Sequence, residues 1–404
     1  MSKSGWRRKS HLFALAFVLI SGAVYFFSDP NPQNHYDYTL RVAESFLHGR
    51  LGPNETPPRW LNEFIPSGDI YYSAFPLGAV LTMLPVALLT GAGIVNGMPG
   101  PVLSAACACF IAIFLLLIAD RYEVSTARKV LLSASILFGT WMWVNLTLAG
   151  AWQLALGFAM LGEFGAIYVA VFRPMPFVAG LFFAMAFGNR TEILLTAPIF
   201  YLLLARSGEK FDRIDTSVLD RWLAFSAVPI ALGSMTLLYN YERFDSVFDF
   251  GYAKIPGVLN EPWYQHGIFS IFYMPRQAYE MLFKPWNIRD WFPYLIPNGF
   301  SGSIIFSSPF LLFVFRRGYR DRILKPCAYA AIASLTLVLW THGNSGGWQF
   351  GYRYAMVLLP WIFIILLENS PKKITAIEYA AYGFSFIANA YALWLFHWTD
   401  NVKP

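Results

Sequence analysis

The chain alternates long apolar runs with short polar links. Runs at 11–27, 100–119, 130–150, 152–172, 176–188, 192–206, 222–240, 302–315, 326–341, 354–368 and 374–397 show no period-2 alternation. Several approach the roughly 20 residues that cross a bilayer as helix. Lipid admits only helices or closed barrels, and unalternated runs select helices. The pattern predicts an all-α, polytopic membrane protein of about 11 transmembrane helices. A further apolar stretch, 74–92, is broken by Pro76, Gly78 and Pro85 and reads as a re-entrant or interfacial segment.

Between the first run and 74–92 lies a polar stretch with helical periodicity. Leu40, Ala43, Phe46 and Leu47 share one face, Arg41, Glu44 and His48 share another, and Gly49 stands where a helix would stop. This is a short amphipathic helix suited to a membrane interface. Residues 1–404 then form a single integral-membrane domain with two long outer loops, 28–99 and 241–301.

Composition agrees with that pattern, since 56% hydrophobic content against 13% charge does not suit a soluble surface. The net charge of +6 is scattered over short loops with no basic patch, which argues against nucleic acid. If 74–92 does not cross, the basic loops at the N-terminus, 120–129, Arg173, 206–221, 316–325 and Lys372–Lys373 all fall on one side. The positive-inside rule makes that side cytoplasmic. The expected location is the plasma membrane, N-terminus inside and C-terminus outside, with the endoplasmic reticulum as an alternative. Cys107, Cys109 and Cys327 sit in apolar helices and imply neither disulfide nor zinc. The basic start and the run from Leu12 to Phe27 lack a clear cleavage site and read as an uncleaved first span.

No phosphate-binding G-x-x-x-x-G-K-[ST] loop occurs, so chemistry is expected on the outer face. Segment 241–301 is rich in aromatic residues, fitting an interfacial belt or a stacking platform for sugars or isoprenoid. Asn54-Glu55-Thr56 formally matches a glycosylation acceptor.

Several stretches together carry a resemblance. An acidic residue follows the first span, and Y-Y-S-A-F-P-L-G enters 74–92; later come Y-N-Y-E-R-F-D-S-V-F-D-F-G-Y (239–252), S-G-S-I-I-F-S-S-P (301–309) and G-G-W-Q-F-G-Y-R-Y (346–354). This order resembles the GT-C superfamily of integral-membrane glycosyltransferases, of the protein mannosyltransferase-like and aminoarabinose transferase-like kind. Asp245 stands where such relatives commonly have Gly. The resemblance implies an inverting hexosyl- or pentosyltransferase moving a sugar from a polyprenyl-phosphate carrier to a glycan, lipid or protein acceptor. No cofactor is required under this reading, and a divalent metal is possible but not indicated.

The resemblance makes Asp37 the catalytic base, because a carboxylate must take the acceptor hydroxyl's proton. The same Asp37 could instead complement a helix dipole. Arg353 is assigned to the donor phosphate, with Arg190 and Lys284 as further cations; pairing of Arg190 with Glu192 is the simpler account of that arginine. Asp69, Tyr72, Trp348, Tyr352, His35 and His342 are expected at the substrate, and no metal ligands are assigned. Glu44 and Glu63 read as helix-surface or loop-bridging groups. Competing readings are a non-enzymatic membrane carrier or lipid flippase, and a glycan polymerase or ligase using a lipid-pyrophosphate donor.

Overall fold

The computed structural model describes residues 3–32, 36–207, 210–212, 214–318, 320–371 and 373–402; the side chains of 3–11 and 207 lie outside that description. The architecture is all-α. In chain order the helices are α1 (Lys3–Phe27), α2 (Tyr38–Leu47), α3 (Leu77–Gly91), α4 (Gly100–Ala119), α5 (Thr126–Phe138), α6 (Met142–Leu148), α7 (Ala151–Ile167) and α8 (Pro176–Asn189). They continue as α9 (Ala197–Leu204), α10 (Thr216–Phe244), α11 (Met274–Leu282), α12 (Ile304–Ser307), α13 (Leu324–Thr341), α14 (Leu359–Glu368) and α15 (Ala376–His397). A short antiparallel hairpin, β1 (Ile65–Ser67) and β2 (Ile70–Tyr72), interrupts the first long loop.

Local chemistry starts and stops these helices. The Ser125 hydroxyl caps α5 by accepting the Arg128 N–H, and the Asp215 carboxylate caps α10 by accepting two N–H groups. Thr375 and Glu378 form a reciprocal capping box on α15. At the other end of α2, Gly49 adopts φ +69° while its N–H and that of Arg50 donate to Phe46 and Ser45 carbonyls. That is the Schellman pattern, which needs a residue tolerant of the left-handed region.

Helix α7 lies at the centre, packed on α4 and α8, with α1 outside α4 and α10 outside α8. The α7–α8 approach is backbone-close: a Cβ on Gly162 would fall 2.6 Å from the Ala186 nitrogen. Helices α13 and α14 pack together, and α15 leans on α5 and α6. At the α5–α15 contact, buried Glu378 accepts from Arg128 at 2.6 Å and pairs with Arg316 at 2.8 Å. Burial alone would raise the Glu378 carboxyl, yet the hydrogen bonds from Arg128 and the Thr375 backbone hold it down at about 2.

The span count is the main correction. Only four helices among the described residues are long and apolar enough to cross a membrane: Gly100–Ala119, Ala151–Phe172, Thr216–Phe244 and Leu324–Thr341. The count reaches five if α5 and α6, bent by 47°, act as one span. About 11 transmembrane helices are therefore not present. The expected runs failed for identifiable reasons. The run 302–315 divides into four-residue α12 and a 3-10 segment, and 354–368 divides into a 3-10 turn and ten-residue α14. The runs 176–188 and 192–206 yield shorter apolar helices, Pro176–Asn189 and Thr191–Leu204.

Two of the apolar runs are enclosed by protein, whereas others leave large apolar side chains such as Phe177, Leu181, Leu194 and Phe315 exposed. All ten residues of α14 are buried, as is 89% of the most apolar window in 151–172. A helix that is hydrophobic all round is as well explained by a protein core as by lipid. The plasma-membrane topology with an inside N-terminus and outside C-terminus was obtained by counting crossings, so it falls with the count. The 74–92 segment is the 15-residue helix α3, with Pro85 inside it.

Candidate functional site

A cavity of about 900 Å³ is walled by segments far apart in sequence. Tyr36, Tyr38, Asn62 and Glu63 come from the first loop, and Gly150, Trp152 and Gln153 from the start of α7. Tyr252 to Trp263 supply a third wall, Asn344 to Tyr354 a fourth, and Phe396 to Val402 a fifth.

Local packing places each wall. Leu61 and Phe64 are buried on either side of Glu63 and pin the loop. The Glu63 N–H donates to the Tyr38 hydroxyl at 3.4 Å. Trp152 lies against Phe75 with ring centroids 3.9 Å apart, which aims its indole N–H at the Glu63 carboxylate. Across the cavity, the Asn145 amide donates to the Phe350 carbonyl at 2.7 Å and accepts the Phe350 N–H at 3.1 Å. Gln349 accepts the Arg353 N–H at 2.8 Å and donates to the Ser345 and Phe300 carbonyls. These bonds fix the 344–354 turn against α6.

Glu63 is the principal titratable group. Trp152 Nε1 donates to its Oε2 at 2.7 Å, and Oε1 makes no hydrogen bond among the described residues. Burial raises its carboxyl to about 7; the Trp152 hydrogen bond and the Arg353 charge oppose that rise, while Glu261 adds to it. Arg353 is 6% exposed, its Nη1 reaches the Trp348 carbonyl at 3.4 Å, and its buried Nε has no partner among the described residues. An unpartnered buried guanidinium nitrogen is costly unless something else satisfies it.

The expected site residues divide. Arg353 and Trp348 line the cavity. Asp37 does not: its Oδ1 accepts from Arg41 Nε at 2.8 Å at the start of α2. Arg190 pairs with Glu192 at 2.7 Å and stacks over the Tyr354 ring, behind the wall. Lys284 donates to the Ser301 hydroxyl at 2.6 Å, away from the cavity. Asp69 is exposed in the hairpin turn, and Tyr72 packs edge-on against Phe244.

Tyr352 is fully buried and donates to Gln277 at 2.9 Å. His342 sits behind Tyr252 and Tyr354, amid four aromatic rings, with Nδ1 2.6 Å from the Asn344 carbonyl. Burial pushes its imidazole down to about 4. His35 lies outside the described residues. No group of three or more His, Cys, Asp or Glu among the described residues could hold a metal ion.

Sequence reasoning missed Glu63, Trp152, Tyr252, Glu261 and Tyr354. Glu63 lies in an ordinary polar loop, and only the fold shows that Trp152 and Arg353 converge on it.

No protein-family model, curated protein or solved structure matches this chain. Together with the span count, this overturns the resemblance to the GT-C superfamily and its mannosyltransferase-like and aminoarabinose transferase-like branches. The polyprenyl-phosphate sugar transferase of a cell envelope loses its basis accordingly. The carrier or flippase and the lipid-linked glycan polymerase or ligase assumed the same polytopic topology, and fall with it.

Proposed function

We propose that the cavity is an enzyme site for a small polyhydroxylated, sugar-like ligand, with Glu63 transferring a proton at one ligand hydroxyl. The observation that carries this reading is the Glu63 carboxyl, engaged through one oxygen by Trp152 and facing a roomy aromatic cavity. A group poised near neutrality is present in both protonation states at the working pH, which suits general acid–base chemistry. The rings of Trp152, Trp263, Trp348, Tyr252 and Tyr354 offer apolar surfaces to the C–H faces of a sugar. Asn62, Gln153, Glu261 and Asn344 offer hydrogen-bond partners to its hydroxyl rim.

Charge narrows the ligand further. Among the described residues, Asp29, Glu63, Glu261 and Asp400 line the cavity with one guanidinium, that of Arg353, and with His397, whose Nδ1 lies 3.5 Å from Asp29. That balance favours a ligand that is neutral, or carries at most one anionic group placed at Arg353, over a bare polyphosphate.

The test is calorimetric binding of a panel of mono- and disaccharides to the unaltered protein, Glu63→Gln and Trp152→Ala, followed by turnover of any sugar that binds. Binding that survives Glu63→Gln with turnover abolished, and that is lost in Trp152→Ala, is the expected result. A panel with no binder, or turnover unchanged in Glu63→Gln, would sink the reading.

A further inference from the structure

A second, smaller cavity of about 200 Å³ lies beside α2 and the loop after it. Arg41, Glu44 and His48 reach it from one face of the helix, at i, i+3 and i+7. Arg50, Asn54 and Glu55 close it from the loop. The Schellman turn at Gly49 folds the Arg50 backbone back beside the helix end.

The Arg50 guanidinium is incompletely satisfied. Among the described residues its buried Nε has no hydrogen-bond partner. The Ser45 and Phe46 carbonyls, the nearest natural acceptors at this helix end, already take the Arg50 and Gly49 N–H groups. Arg41 engages Asp37 through Nε alone. Glu44 and Glu55 also line the cavity, and among the described residues neither forms an ion pair with Arg50. Glu55 is exposed on the rim; burial and then the nearby Asp37 charge raise the Glu44 carboxyl, while Arg41 and His48 oppose that rise. The C-terminal dipole of α2 opposes an anion, but by tenths of a kcal/mol to ~1 kcal/mol, less than a charge-assisted hydrogen bond supplies.

We infer that this cavity is a binding site for a single oxyanion group, a phosphate ester or inorganic phosphate, held by Arg50 with Arg41 and His48. The inference is independent of the chemistry assigned to the larger cavity. A planar guanidinium presents paired N–H donors that match phosphate oxygens, which an ammonium cannot reproduce.

The experiment follows thermal unfolding of the full chain in sodium phosphate and in sodium chloride of equal ionic strength. The unaltered protein, Arg50→Ala, Arg50→Lys and the exposed control Arg59→Ala are compared, with phosphate affinity measured by calorimetry. A specific ligand raises the midpoint with concentration by mass action. Phosphate should stabilise the unaltered protein and Arg59→Ala alike, with affinity about tenfold weaker in Arg50→Ala and intermediate in Arg50→Lys. Arg50→Lys, which keeps the charge, carries the comparison if Arg50→Ala is unstable in chloride.

Flotation with phosphatidic acid vesicles, against phosphatidylcholine vesicles, separates the two sources of phosphate. Arg50-dependent flotation assigns a lipid headgroup, and a response to inorganic phosphate alone assigns a free ligand. If neither probe gives a response that depends on Arg50, the site does not exist.

Discussion

Asn145 and Phe350, 205 residues apart in sequence, exchange two hydrogen bonds in the protein interior. The pair joins α6 to the turn that presents Trp348 and Arg353, and Asn145 is completely buried. Asn145→Ala strips partners from a buried N–H and a buried C=O at once. The expected cost is ~2–4 kcal/mol, read from the denaturant midpoint. Asn145→Asp keeps the acceptor but buries a carboxylate oxygen against the Trp141 and Phe350 carbonyls, so it should cost at least as much as Asn145→Ala. Equal stability in all three proteins would show that the turn is held by other contacts.

Glu63 should titrate near neutrality, and its neighbours should move it in opposite ways from burial. Removing the Trp152 hydrogen bond with Trp152→Phe, or the Arg353 charge with Arg353→Met, takes away a lowering influence. Both changes should push the midpoint above about 7, as followed by carboxyl infrared or carbon NMR signals. A midpoint that stays put in both variants would mean that neither group reaches the carboxylate.

The same carboxyl has a stability signature. Its folded pKa, about 7, lies above the unfolded value, so the folded state holds its proton longer. Stability therefore falls as pH rises from about 4.3, the unfolded value, toward 7, and stays low above it. Glu63→Gln removes that cost and should be the more stable protein at pH 8 by ~2 kcal/mol, a figure reduced for partial solvent access. Parallel stability profiles from pH 4 to 8 would contradict this.

Glu378 has the opposite sign. Its folded pKa is depressed to about 2, so its contribution is complete above the unfolded value and is lost as pH falls from about 4.3 toward 2. Glu378→Gln should flatten acid unfolding over that window. At neutral pH it leaves the buried Arg128 without its carboxylate, at a cost of ~3–5 kcal/mol. A variant with wild-type stability at pH 7 would show that Arg128 finds another partner, such as the Lys373 carbonyl it already contacts.

Gly162→Ala tests the central helix contact. The added methyl carbon would sit 2.6 Å from the Ala186 nitrogen, and backbone cannot swing aside as a side chain can. Overpacking of this kind costs ~1–3 kcal/mol. Gly233→Ala on α10 meets nothing within 4 Å and should stabilise or leave the midpoint unchanged.

What could be read from the chain alone was local. The periodicity of Leu40, Ala43, Phe46 and Leu47 and the stop at Gly49 are written in neighbouring residues, and α2 runs Tyr38–Leu47. The number of membrane spans was not legible in the same way. Apolar runs such as 354–368 carry no mark distinguishing lipid from protein as their surroundings, and here protein covers α14 on every side. The candidate site was least legible of all. Asp37 was read as the base on the resemblance alone, and its pairing with Arg41, one helical turn on, emerges only when the helix forms. Glu63 looked ordinary because Trp152 and Arg353 come to it from 89 and 290 positions away.

The cavity wall formed by Phe396 to Val402 has a consequence for biosynthesis. A ribosome that has added residue 395 has yet to make one flank of the cavity, although Glu63, Trp152 and Arg353 are all in place in the nascent polypeptide. Deleting residues 396–402 would leave those three groups facing an open breach.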